Sequence, residues 1–177
     1  MGLVAFAIIF SGIFTKEYQS GSLVLVLAKG LARHKVVTAK AAIMSLFWSG
    51  EYWLCYGITF GYNAFFWDNS IAENLVFAAV CWWVLGIMAI ALVVLFSSFM
   101  NANTGVLVGT GGVFLLSYLV GMFPKLSEYM PAKLMETSSL LTGITGTGEY
   151  CKALGIAAIL ICVCVLIGIP SINKKHI

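Results

Sequence analysis

Charged side chains are scarce in this sequence of 177 residues: they make up 10% of the chain, whereas hydrophobic residues make up 61%. A soluble globular domain typically has about 25% charged and about 45–50% apolar residues. The composition therefore excludes a soluble domain and predicts an integral membrane protein. It also argues against nucleic-acid binding, because the few basic residues lie beside apolar runs and no basic aromatic platform accompanies them.

Residue patterns for catalysis or metal binding are also lacking. The two histidines, His34 and His176, lie in basic segments without metal-ligand spacing. The five cysteines lie within or beside apolar runs, where free cysteine packs as a small hydrophobic side chain. Gly109-Thr-Gly-Gly112 has no strand before it and no lysine after it, and no Walker motif occurs elsewhere. We therefore expect no enzyme activity in this chain, and neither a metal nor a cofactor bound by it.

Long apolar runs define the expected topology. A membrane-spanning helix needs about 20 residues, because it rises about 1.5 Å per residue across a core about 30 Å thick. Residues 1–14 fall short of this length, so we expect a partial span there. The sequence predicts an all-α, polytopic membrane helix bundle that forms one transmembrane domain, with four complete spans at 41–62, 75–99, 104–123 and 151–169.

The charges of the connecting segments orient these spans. Cytoplasmic loops of membrane proteins carry an excess of Lys and Arg. Segments on one side hold Lys16, Lys29, Arg33, Lys35, Lys40, Lys174 and Lys175 with a single acid, Glu17. Those on the other side hold Lys125, Lys133 and Lys152 with Asp68, Glu73, Glu128, Glu136 and Glu149. We therefore expect the loop 15–40 and the tail 170–177 in the cytoplasm, and the loop 124–150 outside.

The predicted cytoplasmic loop, 15–40, also contains an apolar run at 23–28 that is too short to span a membrane. This pattern indicates a short helix at the inner membrane face with an apolar side that docks on a partner. Anchoring to anionic lipid is the alternative, since basic segments beside a span commonly do this. Glu17 argues against lipid anchoring alone, because attraction to anionic lipid favours a base at that position.

The ordered set Glu17-x3-Gly21-x-Leu23, followed by Lys29-Gly-Leu-Ala-Arg33 and Lys40, resembles the cytoplasmic loop of permease subunits in ABC-2 type ABC transporters. In that family an E-x3-G-(S/T)-L segment precedes a turn, an Arg and a Lys that opens the next span. Gly30 stands where the family usually has proline. The resemblance implies that the loop is a coupling helix seated in a separate ATP-binding subunit. The implied contact residues are Glu17, Gly21, Leu23, Leu27, Arg33 and Lys40.

The resemblance covers essentially the whole chain and implies an exporter in the cell membrane of a bacterium or archaeon. Two permease subunits, identical or different, would work with two ATP-binding subunits that bind the ATP. Such permeases usually carry six spans, so the resemblance implies a chain truncated at its N-terminus. It further implies short re-entrant helices before the last span, near 133–141, with a solvated loop as the alternative. The competing class is a membrane scaffold or immunity-type protein without an ATPase partner.

Glu51 is the one acid predicted inside a span. A carboxylate is costly there and normally faces the bundle interior or water. Three interpretations stay open: Glu51 lines a translocation path, pairs with a neighbouring helix, or lies nearer a membrane interface. Two glycine pairs, Gly57 with Gly61 and Gly105 with Gly109, have the spacing of close helix packing, and we expect them to pack helices.

Overall fold

The computed structural model describes residues 8–9, 33–66, 73–100, 102–143 and 145–173. The described part of the chain is helical and contains no strands. The predicted contact residues Glu17, Gly21, Leu23 and Leu27 lie outside the described residues. The same is true of the partial span 1–14, apart from residues 8 and 9, and of the tail beyond residue 173.

Four long helices make up most of the described structure. They are α1 (Arg33–Phe66), α2 (Leu75–Phe99), α3 (Asn103–Gly121) and α6 (Gly148–Asn173). Between α3 and α6 lie α4 (Pro124–Ser127), a 3₁₀ helix (Pro131–Met135) and α5 (Ser138–Leu141). Proline stands in the first turn of both α4 and the 3₁₀ helix, where a backbone N–H is not needed for the helical ladder.

Three helices are long and apolar enough to cross a membrane: α2, α3 and the part Gly148–Gly168 of α6. For the residues that the structure describes, this confirms the prediction of an all-helical fold with helices apolar enough to cross a membrane, while the number of spans stays a prediction. Helix α1 is longer than any of these but less apolar, because Glu51 and several Trp, Tyr, Ser and Gly residues lie in its middle. The expected span 41–62 lies within α1, and its crossing of the membrane stays a prediction.

Helix α1 begins earlier than the expected span. Arg33 and Lys40 were expected in the cytoplasmic loop 15–40, but both lie in the first turns of α1. No glycine or proline occurs between Arg33 and Ser49, so nothing in the local sequence stops the helix from extending toward its N-terminus. The coupling-loop pattern therefore runs directly into a helix of the bundle.

Helix α2 lies at the centre of the bundle. Of its 25 residues, 14 are buried, whereas only Val106 and Thr110 are buried among the 19 residues of α3. One hydrophobic cluster joins α2 to α6 and the short helices around Leu85 and Leu134. A second joins α2 to α1 and α3 around Trp48 and Val106. A helix that is apolar on all sides can pack against neighbours on several sides, and the other long helices pack on α2.

The two predicted glycine pairs differ in their surroundings. A Cβ atom built on Gly105 or Gly109 would lie within 3 Å of the side chain of Met100 or Phe96, respectively. Both glycines therefore allow close packing at the α2–α3 connection, as expected. A Cβ on Gly57 or Gly61 would have no neighbour within 4 Å. This pair packs no helix of the described chain and instead lies on an open face of α1.

Candidate functional site

Aromatic side chains hold α1 against α2 through hydrogen bonds. Trp48 Nε1 donates to the carbonyl oxygen of Trp83 over 3.1 Å, and Trp83 Nε1 donates to Ser49 Oγ over 3.0 Å. One turn along α1, the Tyr52 hydroxyl donates to the carbonyl oxygen of Ala79 over 2.8 Å. Each of these three donors has a partner, which matters in a membrane because no water replaces a missing one, whereas the buried Tyr56 hydroxyl on α1 has none among the described residues. Helices α1 and α2 are thereby fixed in register.

The open face of α1 points away from these contacts. It carries Glu51, whose side chain is exposed, together with exposed Leu54 and Ile58. Gly50 and Gly57 lie on the same side, with open space where a Cβ would be. Among the described residues Glu51 forms no ion pair. The three interpretations given for Glu51, a translocation path, pairing with a neighbouring helix and a position nearer a membrane interface, therefore stay predictions.

The first turns of α1 connect the predicted coupling loop to the bundle core. Lys40 lies about two turns beyond Arg33. Val37 and Met44 on the same helix are almost fully buried in the cluster shared with α2. A displacement of α1 at Arg33 would therefore move side chains that pack directly on α2.

The segment between α3 and α6 folds as a cap, which we define as the described residues of 124–147. Its 3₁₀ helix and α5 place Leu134 and Leu140 in full burial against α2 and α6. The region 133–141 therefore forms helical turns that pack on the bundle. It has the short helices of the first interpretation and is not a solvated loop. They are interrupted at Glu136, so they are two short helices and not one.

Tyr150 is the residue that fastens the cap, and the sequence patterns did not single it out. Its side chain is 1% exposed. The hydroxyl donates to the carbonyl oxygen of Glu136 over 2.8 Å and lies 3.0 Å from Ser139 Oγ. From α2, Trp82 Nε1 donates to Thr137 Oγ1 over 3.2 Å. The only signal in the sequence was an aromatic residue at the start of an apolar run, which is too common to be specific.

Two ion pairs join the cap to the first turns of α6. Lys133 Nζ lies 3.0 Å from Glu149 Oε2, and Lys152 Nζ lies 2.8 Å from Glu128 Oε2. The hydrogen bond from Lys152 and its positive charge lower the pKa of the Glu128 carboxyl. All four residues belong to the side of the membrane on which the sequence predicts more acids than bases. The charged groups thus pair across the cap and α6, on the side predicted to lie outside.

A cavity of about 90 Å³ lies between the end of α3 and the cap. Its lining mixes apolar side chains with Ser127, Lys133 and Glu136. Among the described residues, no three His, Cys, Asp or Glu side chains come together to hold a metal ion.

Comparison of the chain with protein-family models, with curated proteins and with solved structures gives no match.

Proposed function

We propose that this chain is the permease subunit of an ATP-driven ABC-2 type exporter in the cell membrane. It forms the translocation path with a second permease subunit, identical or different, and each permease docks a separate ATP-binding subunit. The observation that carries the proposal is the continuity at Arg33: the segment with the coupling-loop pattern leads directly into α1, which packs on the central helix α2.

The proposed coupling step uses this continuity. Closure of the ATP-binding subunits pushes on the loop between Glu17 and Arg33. Glu17 fixes the geometry where the loop begins, the apolar residues from Leu23 to Leu27 form the docked face, and Arg33 and Lys40 hold the end of the loop at the headgroups. Helix α1 then moves with α2, because their aromatic hydrogen bonds join them. Such a step needs two discrete packing arrangements, which a docked partner biases.

The proposed path lies along the open face of α1. Glu51 is exposed there beside glycines that leave room for a second subunit or a solute. An intramembrane acid is retained at a cost and therefore marks a functional surface by default.

Co-purification tests the proposal. The tagged chain is solubilised from its host membranes, and a co-purifying polypeptide with Walker A and B motifs is sought. Wild type is compared with Glu17→Lys and with a matched control, Asp68→Lys. The control makes the same change of charge in a segment that is predicted on the other side of the membrane. We expect the ATP-binding subunit with wild type and Asp68→Lys, and its loss with Glu17→Lys.

Retention of the partner by both variants would show that the loop is not the docking element. A folded chain that captures no ATP-binding subunit in any form would favour the competing scaffold or immunity-type protein.

A further inference from the structure

We propose that the cavity between the end of α3 and the cap binds the headgroup of a zwitterionic phospholipid whose acyl chains lie along the exposed face of α3. This inference does not depend on transport or on an ATPase partner. It follows from the depth of the cavity in the membrane, from the charges that line it, and from the apolar stripe that leads to it.

The cavity lies at headgroup depth. Helix α3 has 19 residues and is therefore about 28 Å long, close to the roughly 30 Å of a hydrocarbon core. Gly121, the last residue of α3, contributes to the cavity wall, and so do Tyr118 and Met122. If α3 crosses the membrane, one of its ends lies at each interface, so this placement holds whichever way the chain is oriented.

The charges of the cavity fit a headgroup that carries an ammonium group as well as a phosphate. Lys133 is nearly buried, with 14% of its side chain exposed, and uses one of its three N–H donors on Glu149. It can therefore donate to a phosphate oxygen as well. Glu136 is exposed, and its carboxylate forms no ion pair among the described residues. Glu136 thus remains available for a cationic group.

The balance of charge selects between lipid classes. Within the cavity lining, Lys133 contributes one positive charge and Glu136 contributes one negative charge. An anionic headgroup without an ammonium group would leave the Glu136 carboxylate without a cationic partner. A zwitterionic headgroup places its phosphate at Lys133 and its ammonium at Glu136, where the Tyr118 ring offers a second favourable contact for a cation.

An apolar stripe on α3 leads to the cavity. Val108, Leu115, Tyr118 and Met122 recur at three- to seven-residue intervals along one side of the helix, and each is more than half exposed. Gly111 continues the stripe and has nothing within 4 Å of a Cβ position, so it leaves a shallow groove. No helix of the described chain covers this side. An acyl chain that lies along this groove places its own headgroup at the cavity. A soluble zwitterion has no acyl chain and cannot use the groove in this way.

Lipid retention tests the proposal. The full chain is reconstituted in nanodiscs of equimolar phosphatidylethanolamine and phosphatidylglycerol, released in mild detergent, and analysed for bound lipid by native mass spectrometry. We expect one retained phosphatidylethanolamine per chain, enriched about tenfold over phosphatidylglycerol, as one charge-assisted hydrogen bond allows. Glu136→Gln should bring the ratio near one. Glu73→Gln is the matched control, because it makes the same change at an exposed carboxylate that lies outside the cavity lining and forms no ion pair among the described residues, and it should retain the enrichment.

Three results would overturn the proposal. They are retained lipid in the supplied ratio, enrichment of phosphatidylglycerol, and an unchanged preference in Glu136→Gln. A second variant, Tyr118→Leu, keeps the apolar stripe and removes the ring, and it should reduce the preference partly. Addition of soluble phosphoethanolamine should not displace the lipid; displacement by it at low concentration would show that the site recognises the free zwitterion and that the stripe plays no part.

Discussion

The indole ring of Trp48 on α1 occupies the space beside Gly86 on α2, so closely that any Cβ at Gly86 would overlap the ring. The Trp48 side chain is buried and its Nε1 donates to the Trp83 carbonyl oxygen one turn away. This contact allows a broad aromatic side chain between two helix backbones. The packing of α1 on α2 therefore depends on the absence of a side chain at Gly86.

Gly86→Ala should destabilise the chain, because the new methyl group displaces the Trp48 ring. Overpacking of this kind costs about 1–3 kcal/mol. Gly57→Ala is the matched control, because its Cβ would lie in open space on α1. Thermal unfolding in detergent, followed by circular dichroism, compares the two. Equal melting temperatures for both variants would contradict the described packing.

The hydrogen bond between Trp83 Nε1 and Ser49 Oγ, 3.0 Å long, should contribute a measurable coupling between α1 and α2. Interhelical hydrogen bonds in membranes average about 0.6 kcal/mol. A double-mutant cycle of Trp83→Phe and Ser49→Ala should return a coupling energy of that size from unfolding free energies. Strict additivity of the two single changes would mean that the bond does not form.

Tyr150→Phe should loosen the cap without disrupting the long helices. The change removes the hydroxyl that donates to the Glu136 carbonyl oxygen and contacts Ser139 Oγ. Both atoms then lose this partner, at a cost of about 1–3 kcal/mol. Hydrogen exchange should become faster at residues 131–141 and stay unchanged in α2. Tyr62→Phe, at an exposed tyrosine, should alter neither. Equal exchange of the cap in both variants would show that Tyr150 does not fasten it.

The attachment of the cap should weaken in acid through Glu128. The pKa of Glu128 is held below its ordinary value of 4.5 by Lys152, so the pair contributes its stabilisation fully above that pH and loses it as the pH falls through the lowered value. The melting temperature of wild type should therefore drop more than that of Glu128→Gln between pH 6 and about pH 3. Parallel pH profiles would show that the pair contributes nothing to stability.

The long helices were largely predictable because apolar length determines them. The predicted span 75–99 coincides with α2, and the expected span 104–123 differs from α3 by one or two residues at each end. The expected span 41–62 is shorter than α1. The apolar run marks only the part of the helix that can lie in lipid, whereas the helix itself continues until a residue breaks it. Arg33 and Lys40 are thus helical, while their predicted place on the cytoplasmic side of the membrane stays a prediction.

The cap and its cavity could not be predicted, because they depend on contacts between residues far apart in the sequence. Trp82 reaches Thr137 on another element, and Tyr150 reaches back to Glu136. No local pattern encodes either contact. Glu51 was found from its charge alone, but only the packing of α1 on α2 shows that it faces outward. The residues Glu17, Gly21, Leu23 and Leu27 lie outside the described structure, so their roles stay predictions.

The most direct measurement is site-specific photo-crosslinking in host membranes. A photoreactive residue introduced at Leu27 lies on the proposed docked face, and one at Leu115 lies on the exposed stripe of α3. We expect Leu27 to crosslink to a polypeptide with Walker motifs and Leu115 to crosslink to lipid. If Leu27 crosslinks only to lipid, the loop is a membrane anchor and the proposal of an ATP-driven permease is contradicted.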